Sequence, residues 1–460
     1  MAKKPNVLFI LVDDMGYGDF GIFGDGSSQT PNLDRLAAEG VCLSNYHTAS
    51  PVCAPSRAAI MTGRYPHRSG VIDTLEACGT DRLALKEMTM ADLFKRNGYH
   101  TGLIGKWHLG ALDQRYHPKS RGFDHFTGFR GGWSDYYDWT VEQDGAQVAT
   151  GEYLTDFLTD DAIGYIQARA REDQPFFLHL TYNAPHFPYQ APEECVAPFK
   201  ETGKFNDTLS TLYGMIQRMD EGVGRILAEL KNFGAERDTI VIFTSDNGPD
   251  LGGATNRYNC DLHGMKSHTY EGGIKVPALI RWPGKVAENR VIDGFMHGCD
   301  WLPTIMEACG IGITDGLPLD GVSVWLNILG EEQAYPHKRY WQWTRYQPLI
   351  DFNGAARDGD MKLVKPYHNA AFTVSRTDGE IDGLMKTPNH GGITEIRPNT
   401  SDTVLPDPLP PELYDLGDDP LERNDLSADL PEMAQRLLAD FDHWFEEVEA
   451  ERAANVDLHY

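Results

Sequence analysis

The chain has 460 residues, of which 41 are Lys or Arg and 68 are Asp or Glu, so its net charge at pH 7 is −27. Such a balance argues against nucleic acid as a partner, because phosphate binding needs a basic face. An anionic small substrate fits this chain only where basic side chains gather in one pocket, and the length allows two or three domains of about 150 residues each.

The first predicted element is a buried strand, "NVLFILV", at residues 6–12. This apolar run is far shorter than the roughly 18 residues that span a membrane, and no small-residue cleavage site of an export signal follows it. The seven cysteines have no framework spacing, which is typical of a reducing compartment. These features predict a cytoplasmic protein with no membrane partner.

Strands of this kind alternate with helical patterns through the first three hundred residues or so, which predicts an α/β fold with a large, mostly parallel sheet between helices. Each strong strand is apolar on both faces, as central parallel strands are. The further strong strands are "HTGLIG" (100–105), "PFFLHLTY" (175–182) and "TIVIFTS" (239–245). Helices are predicted at residues 30–39, 56–61, 89–97, 156–171 and 207–233.

The character of the sequence changes after Pro336, where short antiparallel strands are predicted in "KRYWQWTRY", "GAARDGDMKLVKP" and "PELYDLGDDPLERNDLS". A Pro- and Gly-rich stretch at residues 387–411 is predicted to be a surface loop. The chain closes on an amphipathic helix whose apolar face comprises Met433, Leu437, Phe441, Trp444, Phe445 and Val448. We therefore predict a main α/β domain at residues 1–335 and a smaller α+β subdomain at 336–460, with a short antiparallel sheet and a terminal helix.

Polar residues that a core does not need follow each strong strand: Asp13 and Asp14, Lys106 with His108, His186, and Asp246 with Asn247. Ligands of open α/β sheets bind beyond the carboxyl ends of the strands, so these side chains are expected at one edge. Taken singly, each has an ordinary explanation as a helix cap, a solvated turn or a hydrogen-bonded core residue. Together, the three carboxylates and the amide offer oxygen ligands that suit Ca²⁺ or Mg²⁺, and a cation would relieve their mutual repulsion.

Cys53 begins the segment "CAPSRAAIMTGR" near the predicted start of a helix. An isolated cysteine there would be a small buried residue, a disulfide partner or a thiolate nucleophile. Its neighbours favour an anion-binding position, because Pro55 suits a first helical turn, where backbone N–H groups attract anions. Arg57, one turn further on, can direct a guanidinium to the same point.

This segment resembles the signature of type I sulfatases, in which a cysteine, any residue and Pro-Ser-Arg are followed by Thr-Gly-Arg. Other stretches similar to family motifs appear in chain order: "VDDMGYGD", "GKWHLG", "NAPHFP", "SDNG", "GMKSHTYEGG" and "ELYDLGDDPLERNDL". The resemblance therefore covers essentially the whole chain. It implies an alkaline phosphatase-like fold, one bound Ca²⁺ with Mg²⁺ as the alternative, and oxidation of Cys53 to Cα-formylglycine by a dedicated generating enzyme.

The resemblance also implies how such a site would work. One hydroxyl of the hydrated aldehyde would attack the sulfur of a sulfate ester, and deprotonation of the other would then release sulfate. Asp246 would assist the attacking hydroxyl, and His108 would be the base for sulfate release. His186 and Lys266 would protonate or neutralise the leaving oxygen.

Two further groups of residues take their roles from the same resemblance. Arg57 and Lys106, with Lys266 and the cation, would hold the sulfuryl oxygens. The cation would be bound by Asp13, Asp14, Asp246, Asn247 and an oxygen on residue 53.

The substrate is indicated only by its class. Residues 117–139 are rich in aromatic residues and arginine, which is typical both of sugar or aryl binding and of a packed long loop. Candidate substrate contacts are Trp133, Asp135, Tyr137 and Arg257. His67, His125 and His268 are expected to have ordinary structural roles.

The predicted protein is thus a sulfuric ester hydrolase of the arylsulfatase type that converts an aryl sulfate or a sulfated carbohydrate to the alcohol and inorganic sulfate. The alternative within enzymes is a phosphonate monoester or phosphodiester hydrolase of the same superfamily. An inactive metal-binding or glycan-binding relative is the alternative outside enzymes. A homo-oligomer is compatible with the sequence.

Overall fold

A computed structural model describes residues 4–251, 256–331, 333–401 and 403–455. Its strands are numbered in chain order: β1 Asn6–Val12, β2 Val41–Leu43, β3 Tyr46–His47, β4 His100–Lys106, β5 His125–Phe129, β6 Val141–Gln143, β7 Ala146–Val148, β8 Phe176–Thr181, β9 Thr239–Ser245, β10 Ala278–Arg281, β11 Arg290–Ile292, β12 Met296–His297, β13 Lys338–Gln342, β14 Gly354–Asp358, β15 Met361–Lys365 and β16 Glu412–Asp415. The α-helices are α1 Pro31–Ala38, α2 Cys53–Thr62, α3 Pro66–Ser69, α4 Met90–Arg96, α5 Leu154–Arg169, α6 Glu193–Glu201, α7 Asp207–Asn232, α8 Glu271–Ile274, α9 Trp301–Ala308, α10 Trp325–Leu329, α11 Arg376–Met385 and α12 Pro431–Asn455.

A ten-stranded sheet runs through the molecule in the order β11-β2-β10-β9-β1-β8-β4-β5-β6-β7. Its five central strands, β9, β1, β8, β4 and β5, are parallel, whereas β10, β6 and β7 introduce antiparallel pairs. The register aligns the carboxyl ends of the central strands, since Val12 pairs with Ser245 and Leu11 with Thr181. The residues that follow these strands therefore emerge side by side.

The alternation of β1 shows why helices cover both faces of this sheet. Val7, Phe9 and Leu11 pack in one core with α2, α4 and α9, whereas Leu8 and Ile10 pack in the opposite core with α1, α5 and α7. Strands apolar on both faces must be covered on both sides. The large mixed and mostly parallel sheet between helices, which the sequence predicts, is confirmed.

A second, four-stranded antiparallel sheet has the order β13-β14-β15-β16. The apolar face of α12 covers it, since Leu437 packs with Leu363 and Leu413. Further along α12, Trp444 and Val448 lie in one core with residues that follow β3 and residues of α2. The predicted small antiparallel sheet and terminal helix are confirmed. The boundary at residues 335/336 stays a prediction, and the predicted domains also include residues 1–3, 252–255, 332, 402 and 456–460, which lie outside the described residues.

The structure differs from the prediction in several helices. Helix α2 begins at Cys53, three residues before the predicted start, because Pro55 lies in the first turn, where its missing N–H costs nothing. Helix α11 was not predicted, and its Gly379 and Gly383 explain why, since glycine disfavours helix interiors. In the parts of the chain that the structure describes, no helix combines the length and apolarity that crossing a membrane requires.

Candidate active site

Four neighbouring strands deliver the predicted polar residues to one edge of the main sheet. Asp13 and Asp14 follow β1, Asp246 and Asn247 follow β9, and all four are buried. Lys106 ends β4, His108 follows two residues later, and His186 lies five residues beyond β8; these side chains are buried as well. The strand-end argument therefore correctly predicts that these residues meet.

Helix α2 directs two further residues at the same point. Cys53 is its first residue and is 3% exposed, with Val52 as the extended N-cap. Arg57 lies one turn later, and its Nε and Nη2 are 2.9 and 2.7 Å from Asp246 Oδ2. The beginning of α2 is thus fixed to the end of β9 by a buried ion pair.

Each of the three carboxylates has a cationic partner. Lys106 Nζ lies 2.6 Å from Asp13 Oδ2, Lys266 Nζ lies 2.7 Å from Asp14 Oδ2, and Arg57 pairs with Asp246. Lys266 comes from a loop rather than a strand end, and its side chain is only 16% exposed. The basic side chains that an anionic substrate requires are therefore gathered in one place despite the acidic composition.

The oxygen ligands fit a divalent cation. Ligand atoms of Asp13, Asp14, Cys53 and His186 all lie within 4.8 Å of one another. The Asn247 Nδ2 group donates a hydrogen bond to Asp14 Oδ1 at 2.8 Å. Asn247 Oδ1 and Asp13 Oδ1 are both buried, and neither has a hydrogen-bond partner among the described residues. Buried oxygens without donors are costly unless a cation satisfies them. The donor set, rich in carboxylate and amide oxygen, suits Ca²⁺ or Mg²⁺.

The ionisation of the site follows from this crowding. Burial and the neighbouring Asp13 raise the pKa of Asp246 to about 6. Burial also acts to raise the pKa of Asp14, but the Lys266 ammonium and the hydrogen bonds from Lys266 and Asn247 together hold that pKa well below its usual range. Burial raises the pKa of the Cys53 thiol to about 11, although Lys106 and Lys266 oppose the rise. The thiol is therefore protonated at neutral pH, which disfavours a thiolate nucleophile.

Both predicted histidines are neutral. Burial, with the charge of Lys266, lowers the pKa of His186 to about 3. Its Nδ1 lies 2.6 Å from the carbonyl oxygen of Phe187 and donates to it, so Nε2 is the free nitrogen and lies 3.7 Å from Asp14 Oδ2. Burial and Lys106 lower the pKa of His108 well below its ordinary value. A neutral imidazole can accept a proton, which general-base catalysis requires.

A cavity of about 370 Å³ opens onto this cluster. Of the predicted residues, it is lined by Cys53, His108, Trp133, His186 and Lys266. Its further lining comprises Val52, Thr74, Gly132, Phe187, Asp250, Met265, Ser267, His268, Arg345, Asn369, Phe372, Asp382 and Lys386. The C-terminal part of the chain thus forms one wall of the cavity.

Three of the four candidate substrate contacts lie outside this lining. The Asp135 carboxylate accepts the backbone N–H groups of Tyr137 and Asp138 and stabilises a turn. Tyr137 is 43% exposed and packs against Tyr153. Arg257 is buried, where it pairs with Asp19 and donates to the backbone oxygen of Asp14 at 2.8 Å. Arg257 therefore supports the backbone of a candidate cation ligand.

Several lining residues were missed by the sequence analysis. Arg345, Phe372 and Lys386 come from segments far from the strand ends, and no local pattern in the sequence links them to the site. His268, expected to be an ordinary residue, stacks on Tyr367 with ring centroids 3.8 Å apart and also lines the cavity. Its position beside the "GMKSHTYEGG" motif was the signal available in the sequence.

Comparison with family models gives two matches. The model described as Sulfatase matches residues 5–311, which is most of the chain. The model described as N-sulphoglucosamine sulphohydrolase, C-terminal, matches residues 263–382, which include much of the second sheet.

Comparison with individual proteins also finds proteins named as sulfatases. The uncharacterized sulfatase YdeN of Escherichia coli is 34% identical over 400 residues, covering 76% of this chain and 70% of that protein. Human N-acetylgalactosamine-6-sulfatase is 33% identical over 361 residues, covering 71% of this chain and 66% of its own length, so the chain spans about two thirds of that relative. The crystal structure of Ps i-CgsB in complex with k-i-k-neocarrahexaose matches with a TM-score of 0.81 and 29% identity, covering 96% of this chain and 92% of that chain.

Proposed function

We propose that this chain, which belongs to the sulfatase family and is a sulfuric ester hydrolase, removes sulfate from a sulfated carbohydrate. The reaction would use formylglycine at position 53 and a bound Ca²⁺. The observation that carries the proposal is the position of Cys53. It lies at the start of α2, lines the cavity, and is adjacent to the candidate cation ligands Asp13 and Asp14. A nucleophile formed from this residue would meet a substrate and a cation at one point.

The absent groups would supply the reactive chemistry. Formylglycine, made from Cys53 by a generating enzyme, supplies two hydroxyls on one carbon when hydrated, and the cation supplies positive charge for the sulfuryl oxygens. Asp13, Asp14, Asp246 and Asn247 would hold the cation. Mg²⁺ is the alternative ion, since the oxygen ligands suit both.

The cationic side chains of the site would bind and orient the sulfate group. Lys266 lines the cavity, Lys106 and Arg57 are buried outside its lining, and each of the three is paired with a carboxylate. Preorganised charges stabilise developing negative charge because they need no reorientation during reaction. Lys266 keeps its proton, because burial acts to lower the pKa of the ammonium but the nearby carboxylates of Asp14 and Asp13 help to raise it above its ordinary value.

Proton transfers would be divided among three side chains. Asp246, which is buried at the end of β9 and paired with Arg57, would take the proton of the attacking hydroxyl. Lys266, as an ammonium, would donate to the leaving oxygen, whereas His186, whose Nε2 carries no proton, does not fit the role of leaving-group acid that the sequence predicts. His108 would be the base for sulfate release. Both histidines line the cavity, and they reach it from different strands.

A carbohydrate is supported as the substrate by the walls of the cavity. Trp133 and Phe187 form an aromatic pair with ring centroids 5.2 Å apart, and both line the cavity. Phe372, from the C-terminal part, and His268, from the main domain, present aromatic rings with centroids 6.0 Å apart, and Arg345 and Asp382 also line the cavity. Aromatic faces beside hydrogen-bonding groups suit a sugar ring. The solved relative Ps i-CgsB binds a neocarrahexaose, which agrees with this assignment.

The test is a substrate panel assayed with protein made alongside the generating enzyme. The panel contains sulfated monosaccharides and oligosaccharides, nitrophenyl sulfate and a nitrophenyl phosphonate ester, and released sulfate is measured by ion chromatography. We expect the highest kcat/KM for a sulfated sugar. A higher kcat/KM for the phosphonate ester would instead favour a phosphonate hydrolase.

A further inference from the structure

A buried carboxylate lies behind His108, outside the set of residues that the family resemblance provides. His108 Nε2 is 3.6 Å from Glu76 Oε1 and 3.4 Å from the backbone oxygen of Thr74. Both neighbours are acceptors, so the ring carries its proton on Nε2. His108 Nδ1 is buried and has no hydrogen-bond partner among the described residues. The unprotonated nitrogen is thus Nδ1.

Two groups fix the Glu76 carboxylate in this position. The backbone N–H of Gly132 donates to Oε1, and the Lys386 ammonium pairs with the same oxygen. Glycine is required at position 132, since a Cβ there would lie 2.8 Å from His108 Cε1 and 3.0 Å from Glu76 Oε1. The absence of a side chain at residue 132 therefore allows the imidazole and the carboxylate to approach each other.

Lys386 reaches this site from the end of α11, in the C-terminal part of the chain. Its side chain is buried, and its other acidic partner is Asp382 at 3.4 Å. Burial raises the pKa of Glu76, whereas Lys386 opposes this rise. Loss of the ammonium would thus favour the protonated carboxyl, which is no longer an anion beside His108.

We propose that Glu76 is the positioning residue of His108 and that Lys386 holds Glu76 in place. The inference rests on the proposed function, in which His108 accepts a proton during sulfate release. In that role Nδ1 would take the proton of the second hydroxyl on residue 53, so that the bond to the sulfate oxygen would break as the carbonyl of residue 53 re-forms. Glu76 then lies beside the imidazolium and stabilises its charge. Through Lys386, which holds Glu76, the C-terminal part of the chain contributes to the reaction.

This role predicts a defect confined to one half of the reaction. Departure of the alcohol precedes sulfate release and determines kcat/KM, whereas a slowed sulfate release lowers kcat. In Glu76→Gln we expect kcat on nitrophenyl sulfate to fall by roughly tenfold or more, with kcat/KM within about twofold of the wild type. Stopped-flow traces should show a burst of about one equivalent of nitrophenol per active site. A purely structural role would lower kcat and kcat/KM together.

Glu76→Gln leaves the Lys386 ammonium buried beside a neutral amide, which threatens folding. The double variant Glu76→Gln/Lys386→Gln removes both charges and is the decisive protein if the single variant does not fold. Glu87→Gln is the matched control, because Glu87 is also buried and lies 3.3 Å from Arg64 Nε. Neither Glu87 nor Arg64 lines the cavity. The control variant should keep both kcat and kcat/KM.

A second readout does not depend on turnover. Protein that retains the unmodified Cys53 thiol is labelled with ¹⁵N-histidine, and the His108 ring is assigned by its loss in His108→Gln. The ring signals should show the Nε2–H tautomer in the wild type and a tautomer mixture in the double variant.

The outcomes separate this inference from the proposed function. A wild type that hydrolyses no sulfate ester after conversion of Cys53 refutes the proposed function. If the wild type is active, two results for the folded double variant would overturn the inference alone. One is a kcat within about twofold of the wild type. The other is an equal loss of kcat and kcat/KM with an unchanged His108 tautomer. A fall in kcat with preserved kcat/KM, together with the tautomer mixture, supports it.

Discussion

Lys266 Nζ lies 2.7 Å from Asp14 Oδ2, so one salt bridge joins a candidate leaving-group residue to a candidate cation ligand. Asp14 is buried, whereas Lys266 is partly exposed and lines the cavity. Loss of the ammonium would therefore remove a charge from the sulfate pocket. It would also leave Asp14 without its nearest cation.

We expect Lys266→Ala to lower kcat/KM on an unactivated sugar sulfate by about a hundredfold or more, because a charge-assisted contact in a buried site contributes about 3 kcal/mol to transition-state stabilisation. The loss should be smaller on nitrophenyl sulfate, whose leaving group needs less assistance. Steady-state kinetics on both esters measures the difference. An equal and small loss of kcat/KM on the two esters would show that Lys266 does not assist the leaving group. Lys275→Ala is the control, since Lys275 also lies near a buried carboxylate, Glu271, but outside the cavity lining.

The cation assignment predicts that Asp13→Asn weakens Ca²⁺ binding by more than about a hundredfold, because mutation of outer-shell groups alone costs about 10–100-fold in metal affinity. Calorimetric titration and metal content after dialysis measure the change. The matched control is Asp220→Asn, which alters a buried carboxylate that accepts the N–H groups of Asn32 and Leu33 at α1. Unchanged Ca²⁺ affinity in Asp13→Asn would remove Asp13 from the site.

The cavity wall predicts which aromatic residue affects sugar binding. Trp133→Ala should raise KM for a sulfated oligosaccharide by about tenfold, equal to about 1.4 kcal/mol, and should affect nitrophenyl sulfate less. Tyr137→Ala is the control, because Tyr137 is equally aromatic but lies outside the cavity lining. The account of the wall would be wrong if Tyr137→Ala changed KM as much as Trp133→Ala.

The role of Cys53 predicts separate effects on activity and stability. Cys53→Ala should abolish turnover while lowering the free energy of unfolding by only about 1 kcal/mol, since it removes one buried sulfur atom. Cys299→Ala removes a sulfur that is similarly buried in another core and should keep full turnover. Denaturant melts and activity assays of both variants provide the comparison. Residual turnover of Cys53→Ala near the wild-type rate would rule out residue 53 as the nucleophile.

The sequence predicts the strand-end part of the site well, because parallel strands impose a common edge. Asp13, Lys106 and Asp246 come at the ends of apolar runs, and the sheet order places their strands within the neighbouring set β9-β1-β8-β4. Cys53 and Lys266 were identified by family resemblance, since neither follows a strong strand. Their burial and ion pairs became visible only in the structure.

The other wall of the cavity was beyond the reach of sequence patterns. Lys386 and Arg345 are brought to the site by tertiary packing of the C-terminal part, and charged residues in such segments look like ordinary surface residues. Glu76 begins a three-residue 3-10 helix, Glu76–Cys78, which does not follow a strong strand. Its carboxylate is buried and contacts Gly132 and Lys386, which only the folded structure reveals. Arg257 shows the opposite error, because a basic residue that the sequence analysis proposes as a substrate contact is buried against Asp19.

Cys53 is proposed as the precursor of the nucleophile, and mass spectrometry can detect its conversion in the protein itself. Trypsin should release residues 36–57 as one peptide, which carries both Cys53 and the buried Cys42 as an internal reference. In preparations with different amounts of the generating enzyme, we predict that Cys42 stays a thiol, that Cys53 is replaced by the aldehyde or its hydrate, and that kcat rises in proportion to the converted fraction. Full sulfate ester hydrolysis by protein whose Cys53 remains entirely a thiol would contradict the account.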